Sequence, residues 1–298
     1  NILDIKKFLW NINKIEIYNE NLENNKIIDF KNKNKYLFST IKNCDLYNCL
    51  ISSLRKNKLI RFKKKINYKN LLDKNYGLIF NCDHQNPISK KFFSKKIEKD
   101  YNSFAHVTTF NHKRLLNNNV ASQIFTKKGP FAFLPISKKE TSIVYSARGE
   151  KDIDIENLIK KYNTKYEIIK IQNFISFKLE SLNLRSYYHK NIIAFGDLLH
   201  KIHPLAGQGF NMTIRDIKEI NELIQFKINH GLDLDISICL DFEKNTKNKN
   251  YLFSNGINFI YEFFNFENKI NKNSLSKTVK FLGNNHSINS FFKKFANE

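Results

Sequence analysis

The sequence predicts an α/β protein in which a discontinuous domain built on a parallel sheet is interleaved with an antiparallel-sheet domain and followed by C-terminal helices. Three observations predict it. The run Ile192-Ile193-Ala194-Phe195 has the pattern of a buried strand and ends at Gly196-Asp197, after which a loop broken by Pro204, Gly207 and Gly209 leads into a long helix near Phe210. Between Phe104 and Arg148 the pattern changes to short strands, Phe104–Phe110, Ser122–Thr126, Phe131–Ile136 and Ser142–Ser146, spaced by polar turns as in a β-meander. Beyond His230 apolar residues recur at helical spacing in two or three segments, one of them the aromatic-rich stretch from Tyr251 to Phe266.

The other elements follow from the same periodicities. Residues 12–18 and Ile27–Phe30 read as a hairpin around the turn-forming Asn19–Asn25. From Asp45 onward Leu46, Cys49, Leu50 and Leu54 stand at helical spacing, and Leu59–Phe62 reads as a strand. Tyr76-Gly77-Leu78-Ile79-Phe80 is a short buried-strand run that passes into the polar turn Asn81-Cys82-Asp83. Ile153–Tyr162 reads as a helix and Ile168–Leu179 as a strand region. In the helix from Phe210 the expected apolar face is Phe210, Ile214, Ile217, Ile220, Leu223 and Ile224, with Arg215 and Asp216 as a solvent-side or interdomain ion pair.

Composition narrows the function classes. A chain of 298 residues with 41% hydrophobic residues can bury one large core or two modest ones. No apolar run reaches the roughly 18 residues of a membrane span. Cys44, Cys49, Cys82 and Cys239 lack C-x-x-C spacing, which predicts reduced thiols in a cytoplasmic protein. The net charge of +22 is spread along the chain among Asn and Ile without a nucleic-acid-binding motif. Lys, Asn and Ile all have AT-rich codons, so a coding bias accounts for the charge, and no nucleic-acid partner is expected. The basic surface still favours proximity to acidic lipid headgroups. The chain opens with Asn1, its only methionine is Met212 and no glycine precedes Gly77; a segment upstream of Asn1 is therefore expected.

The stretch Gly196–Asn211 carries the clearest chemistry. A carboxylate at the end of a parallel strand, as Asp197 is expected to be, lies where open α/β sheets bind ligands and can accept hydrogen bonds from sugar-alcohol hydroxyls. Gly207 and Gly209 allow the backbone to approach a flat ligand, and the helix that begins near Phe210 points free N–H groups and its positive dipole end toward it. Such a site favours a group that becomes negative. His189, His200 and His203 are expected as loop residues rather than metal ligands, since they have no close acidic or Cys partner except Asp197.

This stretch resembles the second FAD-binding motif of the ubiquinone-biosynthesis hydroxylases, aromatic-ring monooxygenases of the p-hydroxybenzoate hydroxylase class. The resemblance implies a Rossmann-like FAD-binding domain and a β-sheet substrate domain. It implies that Asp197 holds the ribityl chain, that Pro204 lies beside the flavin, and that Gly207, Gln208, Gly209, Phe210 and Asn211 face the pyrimidine edge. Gly129–Ile136 is similar to the family's strand beside flavin and substrate, which implies Phe131, Phe133 and Pro135 as substrate contacts. Asn81–Pro87 is similar to the family's middle motif and makes Asp83 a cofactor residue, although His84 replaces a glycine there and Cys44 stands in place of an arginine. The resemblance covers the chain from Leu9 onward and lacks the family's Gly-x-Gly-x-x-Gly strand-turn-helix.

The expected organisation is a FAD-binding domain of residues 43–92 and 186–230 without its first βαβ unit, a substrate domain of 8–42 and 93–185, and a helical region of 231–298. With a unit missing, Gly77–Asn81 and Ile192–Phe195 are expected to present unpaired strand edges. The function implied is hydroxylation of a polyprenyl phenol by O2 with FAD and NAD(P)H. Contact with the inner-membrane surface and with other ubiquinone-biosynthesis enzymes is implied as well. The alternative is a non-catalytic remnant or partner subunit that keeps the fold without FAD.

Overall fold

The computed structural model describes residues 2–20, 26–31, 36–64, 67–73, 76–204 and 207–270. In chain order the elements are β1 (Trp10–Ile12), β2 (Lys14–Asn19), β3 (Lys26–Lys31), β4 (Phe38–Thr40), α1 (Asn43–Lys56), α2 (Tyr68–Asp73), β5 (Ile79–Asn81) and α3 (Pro87–Phe92). There follow β6 (Lys96–His112), β7 (Val120–Thr126), β8 (Gly129–Pro135), β9 (Glu140–Arg148), α4 (Ile155–Tyr162), β10 (Ile168–Ile171) and β11 (Ile175–Leu184). The chain ends with β12 (Tyr188–His189), β13 (Ile192–Ala194), β14 (His200–Lys201), α5 (Gln208–Asn229) and α6 (Ile236–Ile270). They form two compact units: unit one from residues up to Arg61, Ser103–Lys178 and the chain from Phe263, and unit two from Phe62–Asn102 and Leu179–Glu262.

Unit one is organised by a sheet in which β6, β9, β8, β7, β2 and β3 lie in that order, β10 also pairing with β6. The hairpin β2–β3 joins through a parallel pairing of β2 with β7, with Lys14 opposite Val120. The meander expectation is met for β7, β8 and β9, but β6 pairs with β9 rather than with its sequence neighbour β7. Alternation makes one face apolar: Phe131 and Phe133 on β8, Ile143 and Tyr145 on β9, and Phe110 on β6 are buried with Ile155, Ile159 and Tyr162 of α4. These last three stand at helical spacing on one stripe, and Asp154 caps the helix by accepting from the Asn157 N–H at 3.0 Å. Gly129 is required where β8 meets β9, because a Cβ there would lie 2.0 Å from the Ser146 carbonyl oxygen.

Unit two contains a smaller sheet in the order β12-β13-β5, with β12 antiparallel and β5 parallel to β13. Ile192, Ile193 and Ala194 are all buried, as a strand covered on both faces requires, and pack with Ile88, Phe93, Ile220, Ile238 and Phe242. The fold departs from the sequence expectations at four places. Ile192–Phe195 presents no open edge, since β13 lies between β12 and β5, and β5 is the parallel edge strand of this sheet among the described residues. Leu59–Phe62 forms no strand, and Leu59 is 92% exposed with no neighbouring strand to shield it. Among the described residues after His230, α6 runs unbroken from Ile236 to Ile270, so the aromatic-rich stretch from Tyr251 is continuous with the residues before it; Gly256 is accommodated within the helix and no proline interrupts it, and the residues beyond 270 lie outside the described ones. On α5 the buried positions are Met212, Asp216 and Ile220, while Phe210, Ile214 and Ile217 of the expected face are 55%, 47% and 46% exposed. No described helix is long and apolar enough to cross a membrane.

The aromatic core of unit one makes a direct test. Phe131 is fully buried, its ring centroid 5.2 Å from Phe133, 5.3 Å from Tyr145 and 5.4 Å from Tyr162. Phe131→Ala should cost about 3–5 kcal/mol in urea unfolding. A loss below about 1 kcal/mol would show that the ring does not hold this core.

Candidate functional site

Two loops leave the same end of adjacent parallel strands. In the register of β5 with β13, Asn81 lies opposite Ala194, and the Phe195 N–H donates to the Asn81 carbonyl at 2.9 Å. Asp83 and Asp197 therefore follow the carboxyl ends of neighbouring strands, where an open α/β sheet forms its ligand crevice. Both are exposed. The Asp83 loop is set by local polar bonds. Asn81 Oδ1 accepts from Asn86 Nδ2 at 2.6 Å, Asn86 Oδ1 caps α3 by accepting from the Ser89 N–H at 2.8 Å, and Asp83 Oδ1 accepts from the Gln85 N–H at 2.8 Å.

Past β13, Gly196 takes a left-handed φ of 59° and opens a single 3-10 turn, Gly196–Leu198, that carries Asp197. Leu198 and Leu199 are buried, so the turn is pinned from below while its carboxylate faces outward. At the other end of the loop Gly207 is the N-cap of α5, with φ 66° and ψ 24°, a conformation that favours glycine. No side chain caps α5, and no acidic residue occupies its first turn. Its first N–H groups and positive dipole end are thus left for a ligand, with Gln208, Gly209, Phe210 and Asn211 around them. A Cβ at Gly209 would meet only Ile202 Cγ1 at 3.6 Å, so the positive φ of Gly207 is the stricter requirement. An outward carboxylate and an uncapped helix start fit the ribityl and pyrimidine parts of a flavin. No Gly-x-Gly-x-x-Gly occurs in the chain to cradle a diphosphate.

The loop is anchored by residues whose burial the sequence did not reveal. Asp216 is 1% exposed rather than solvent-facing; His200 Nε2 donates to its Oδ2 at 2.5 Å and Asn250 Nδ2 to its Oδ1 at 3.0 Å. Arg215 instead lies over the Phe253 ring, 4.5 Å from its centroid. Nothing local in the sequence signals the pair, since a charged residue on a helix ordinarily reads as solvated. His203, next to Pro204, is fully buried between Tyr101 and Tyr261, with ring centroids 5.0 Å and 4.1 Å away. Neither of its ring nitrogens has a hydrogen-bond partner among the described residues. Burial, aided by the Lys99 charge, pushes its pKa down to about 3. His189 stands apart, stacked on Phe92 with centroids 3.9 Å apart. Phe131, Phe133 and Pro135 belong to unit one, the two phenyl rings in its core and the Pro135 carbonyl accepting from Thr40 Oγ1 at 2.7 Å.

The neutral His203 predicts a pH dependence. Its folded pKa of about 3 lies below the ordinary histidine value of 6.5, so the unfolded chain binds a proton that the folded one refuses, and stability falls as pH drops below about 6.5. The slope is about 1.4 kcal/mol per pH unit. Between about pH 6.5 and 5, the wild type should therefore lose about 1–2 kcal/mol relative to His203→Phe in chemical unfolding. Parallel stability curves for the two proteins would show that His203 takes up protons in the folded state.

No family model matches the chain. Among curated proteins it is 23% identical over 243 residues to the ubiquinone biosynthesis monooxygenase COQ6 of Schizosaccharomyces pombe, covering 65% of this chain and 51% of that protein. The chain thus spans about half the length of the curated relatives it matches. Among solved structures, the p-nitrophenol 4-monooxygenase PnpA of Pseudomonas putida superposes with a TM-score of 0.71 at 11% identity, covering 98% of this chain and 83% of that one. PqsL of Pseudomonas aeruginosa, a probable FAD-dependent monooxygenase, gives a TM-score of 0.67 at 13% identity over 93% and 84%. The chain therefore has the fold of FAD-dependent monooxygenases and is similar in sequence to the ubiquinone-biosynthesis monooxygenases over the part of them that it spans.

Proposed function

We propose that the chain belongs to a FAD-dependent monooxygenase that hydroxylates a polyprenylated phenolic ring in ubiquinone biosynthesis. The observation that carries the reading is the Gly196–Asn211 strand-turn-helix, with Asp197 outward at a strand end and α5 uncapped behind Gly207. Bound FAD, reduced by NAD(P)H, would supply the oxygen-activating chemistry. The chain's own residues bind and orient. Asp197 accepts hydrogen bonds from the ribityl hydroxyls, and Asp83 serves the same crevice from the neighbouring strand. The N–H groups at the start of α5 stabilise negative charge on the pyrimidine edge, flanked by Pro204, Gly207, Gln208, Gly209, Phe210 and Asn211. Strand β8 is the substrate-side strand; Phe131 and Phe133 are buried, so they act by holding the backbone that carries Pro135. The basic surface supports peripheral contact with an anionic membrane, where a polyprenyl substrate resides.

A second reading, a partner or remnant that keeps the fold without FAD, is favoured by one observation: β5 is paired on one side only among the described residues. Titration of the purified chain with FAD, followed by flavin fluorescence, separates the readings. On the first, FAD binds weakly but saturably, since the diphosphate contributes little; on the second, no saturable quenching appears. Asp197→Ala should weaken FAD binding by about 1.5–3 kcal/mol, or about 10- to 150-fold in Kd. An unchanged Kd in that variant would remove Asp197 from the site.

A further inference from the structure

At one end of its sheet, unit one presents an exposed leucine on a loop that is pinned on both sides. β6 ends there at His112 and β8 at Pro135, and the register of β9 brings these ends level, with Glu140 opposite Asn111 and Thr141 opposite Pro135. The β6–β7 connection, residues 113–119, runs beside the β8–β9 turn: the His112 N–H donates to the Lys139 carbonyl and the Leu115 N–H to the Lys138 carbonyl, each at 2.9 Å. Leu115 packs against the aromatic core. Asn118, fully buried, donates through Nδ2 to the Ser137 carbonyl at 2.8 Å and accepts at Oδ1 from Lys165 Nζ at 3.0 Å, while its backbone carbonyl accepts from Trp10 Nε1 at 2.7 Å. Between these two anchors stands Leu116, 86% exposed.

The charges around this leucine are of one sign once the ion pairs are taken out. Arg114, Lys138 and Lys139 are exposed and border the same stretch of surface. The two carboxylates beside them are already matched, Glu140 by Lys42 at 2.7 Å and Glu167 by Lys113. Among the described residues no carboxylate forms an ion pair with Arg114, Lys138, Lys139 or Lys165, and Lys165 rests on the amide oxygen of Asn118. An aliphatic side chain held out in water by a fixed loop and ringed by unmatched cations calls for a partner that is both anionic and apolar.

We propose that this end of unit one docks on an anionic lipid bilayer, with Arg114, Lys138, Lys139 and Lys165 against the headgroups and Leu116 at the boundary between headgroups and acyl chains. The proposal narrows the peripheral membrane contact named above to one surface and rests on that contact, not on the flavin site. A second copy of the chain on this surface would set like charges against like across a two-fold contact. A nucleic acid would meet the cations and leave Leu116 in water. A bilayer satisfies both parts of the surface at once.

Co-sedimentation of the full chain with vesicles tests the surface, using phosphatidylcholine and phosphatidylglycerol in equal parts against phosphatidylcholine alone. The chain should partition onto the anionic vesicles, with hydrogen-exchange protection at residues 113–117 and 137–139. Lys138→Gln/Lys139→Gln should weaken partition about 30-fold, since each cation near the surface is worth about fivefold. The charge-matched Lys127→Gln/Lys151→Gln, exposed at the opposite end of β8 and β9, should change it about threefold at most, because charges beyond the screening length contribute little. Leu116→Ser, which removes no charge, should weaken it about tenfold. All these positions are exposed, so the thermal midpoints should stay unchanged. Equal losses in the two double variants would reduce the binding to net charge and overturn this surface while leaving a peripheral contact standing; no partition of the wild type would overturn both. Unchanged partition of Leu116→Ser, or a smaller mass for that variant by light scattering in the absence of vesicles, would show that Leu116 meets something other than lipid and would overturn the proposal as well.

Discussion

A carboxylate removed from water must be met by donors, and unit two is arranged around that requirement at Asp216. The residue is 1% exposed, and its two oxygens receive hydrogen bonds from His200 on β14 and Asn250 on α6. Those donors come from three-dimensionally distinct elements, so satisfying one charge fixes β14, α5 and α6 together. An ionised carboxylate left without such partners is strongly destabilising, commonly by about 3–5 kcal/mol once one partner of a buried pair is removed. The loop between Asp197 and Gly207 is thereby held at its middle by His200, before it turns into α5. Its two chemically exposed ends project from a backbone that the buried pair keeps in place.

Beneath that clamp the parallel pairing of β5 with β13 sets the direction of everything above it. Three buried residues on β13 leave little room for a polar face, and the strand is followed at once by the left-handed Gly196 turn. Reversal there by a residue with a Cβ would be strained, so the position of Asp197 depends on the glycine before it. Unit one meets a different constraint. Its antiparallel strands need only one apolar face, which aromatic rings fill against α4, and Gly129 admits the close backbone approach of β8 to β9.

Much of this was legible in the sequence because it rests on local periodicity. The strands β8 and β9 alternate over most of their length, β2 and β3 flank a polar stretch of sequence, and α4 shows its stripe at Ile155, Ile159 and Tyr162. The contiguous Gly196–Asn211 run was legible because its glycines, proline and carboxylate follow one another without gaps. What was hidden depends on contacts distant in sequence. Asp216 looked solvated because its donors lie 16 and 34 residues away, and its burial turns α5 so that Met212, Asp216 and Ile220 face inward instead of Phe210, Ile214 and Ile217. The pairing of β6 with β9 over β7 is likewise a choice made by the whole sheet. The continuity of α6 through Tyr251 was not legible, since the aromatic-rich stretch from Tyr251 to Phe266 read as a segment of its own.

The one-sided pairing of β5 ties the geometry of the sheet to the chemistry of the candidate site. A strand added in parallel on its free side would end level with Asn81 and Ala194, and the turn after it would join those of Asp83 and Asp197 at one end of the sheet. A helix following that turn would point its N-terminus into the same crevice, as α5 already does. The two helix starts would then serve different charges: α5 the edge of a flat ring system, the added one a diphosphate. On the proposed reading, the Asp197 turn and the start of α5 serve one end of a dinucleotide ligand, and the direction of β5 and β13 sets where donors for its other end would lie. Phe80, on β5 and 43% exposed, is consistent with a surface that such a strand or its helix would cover.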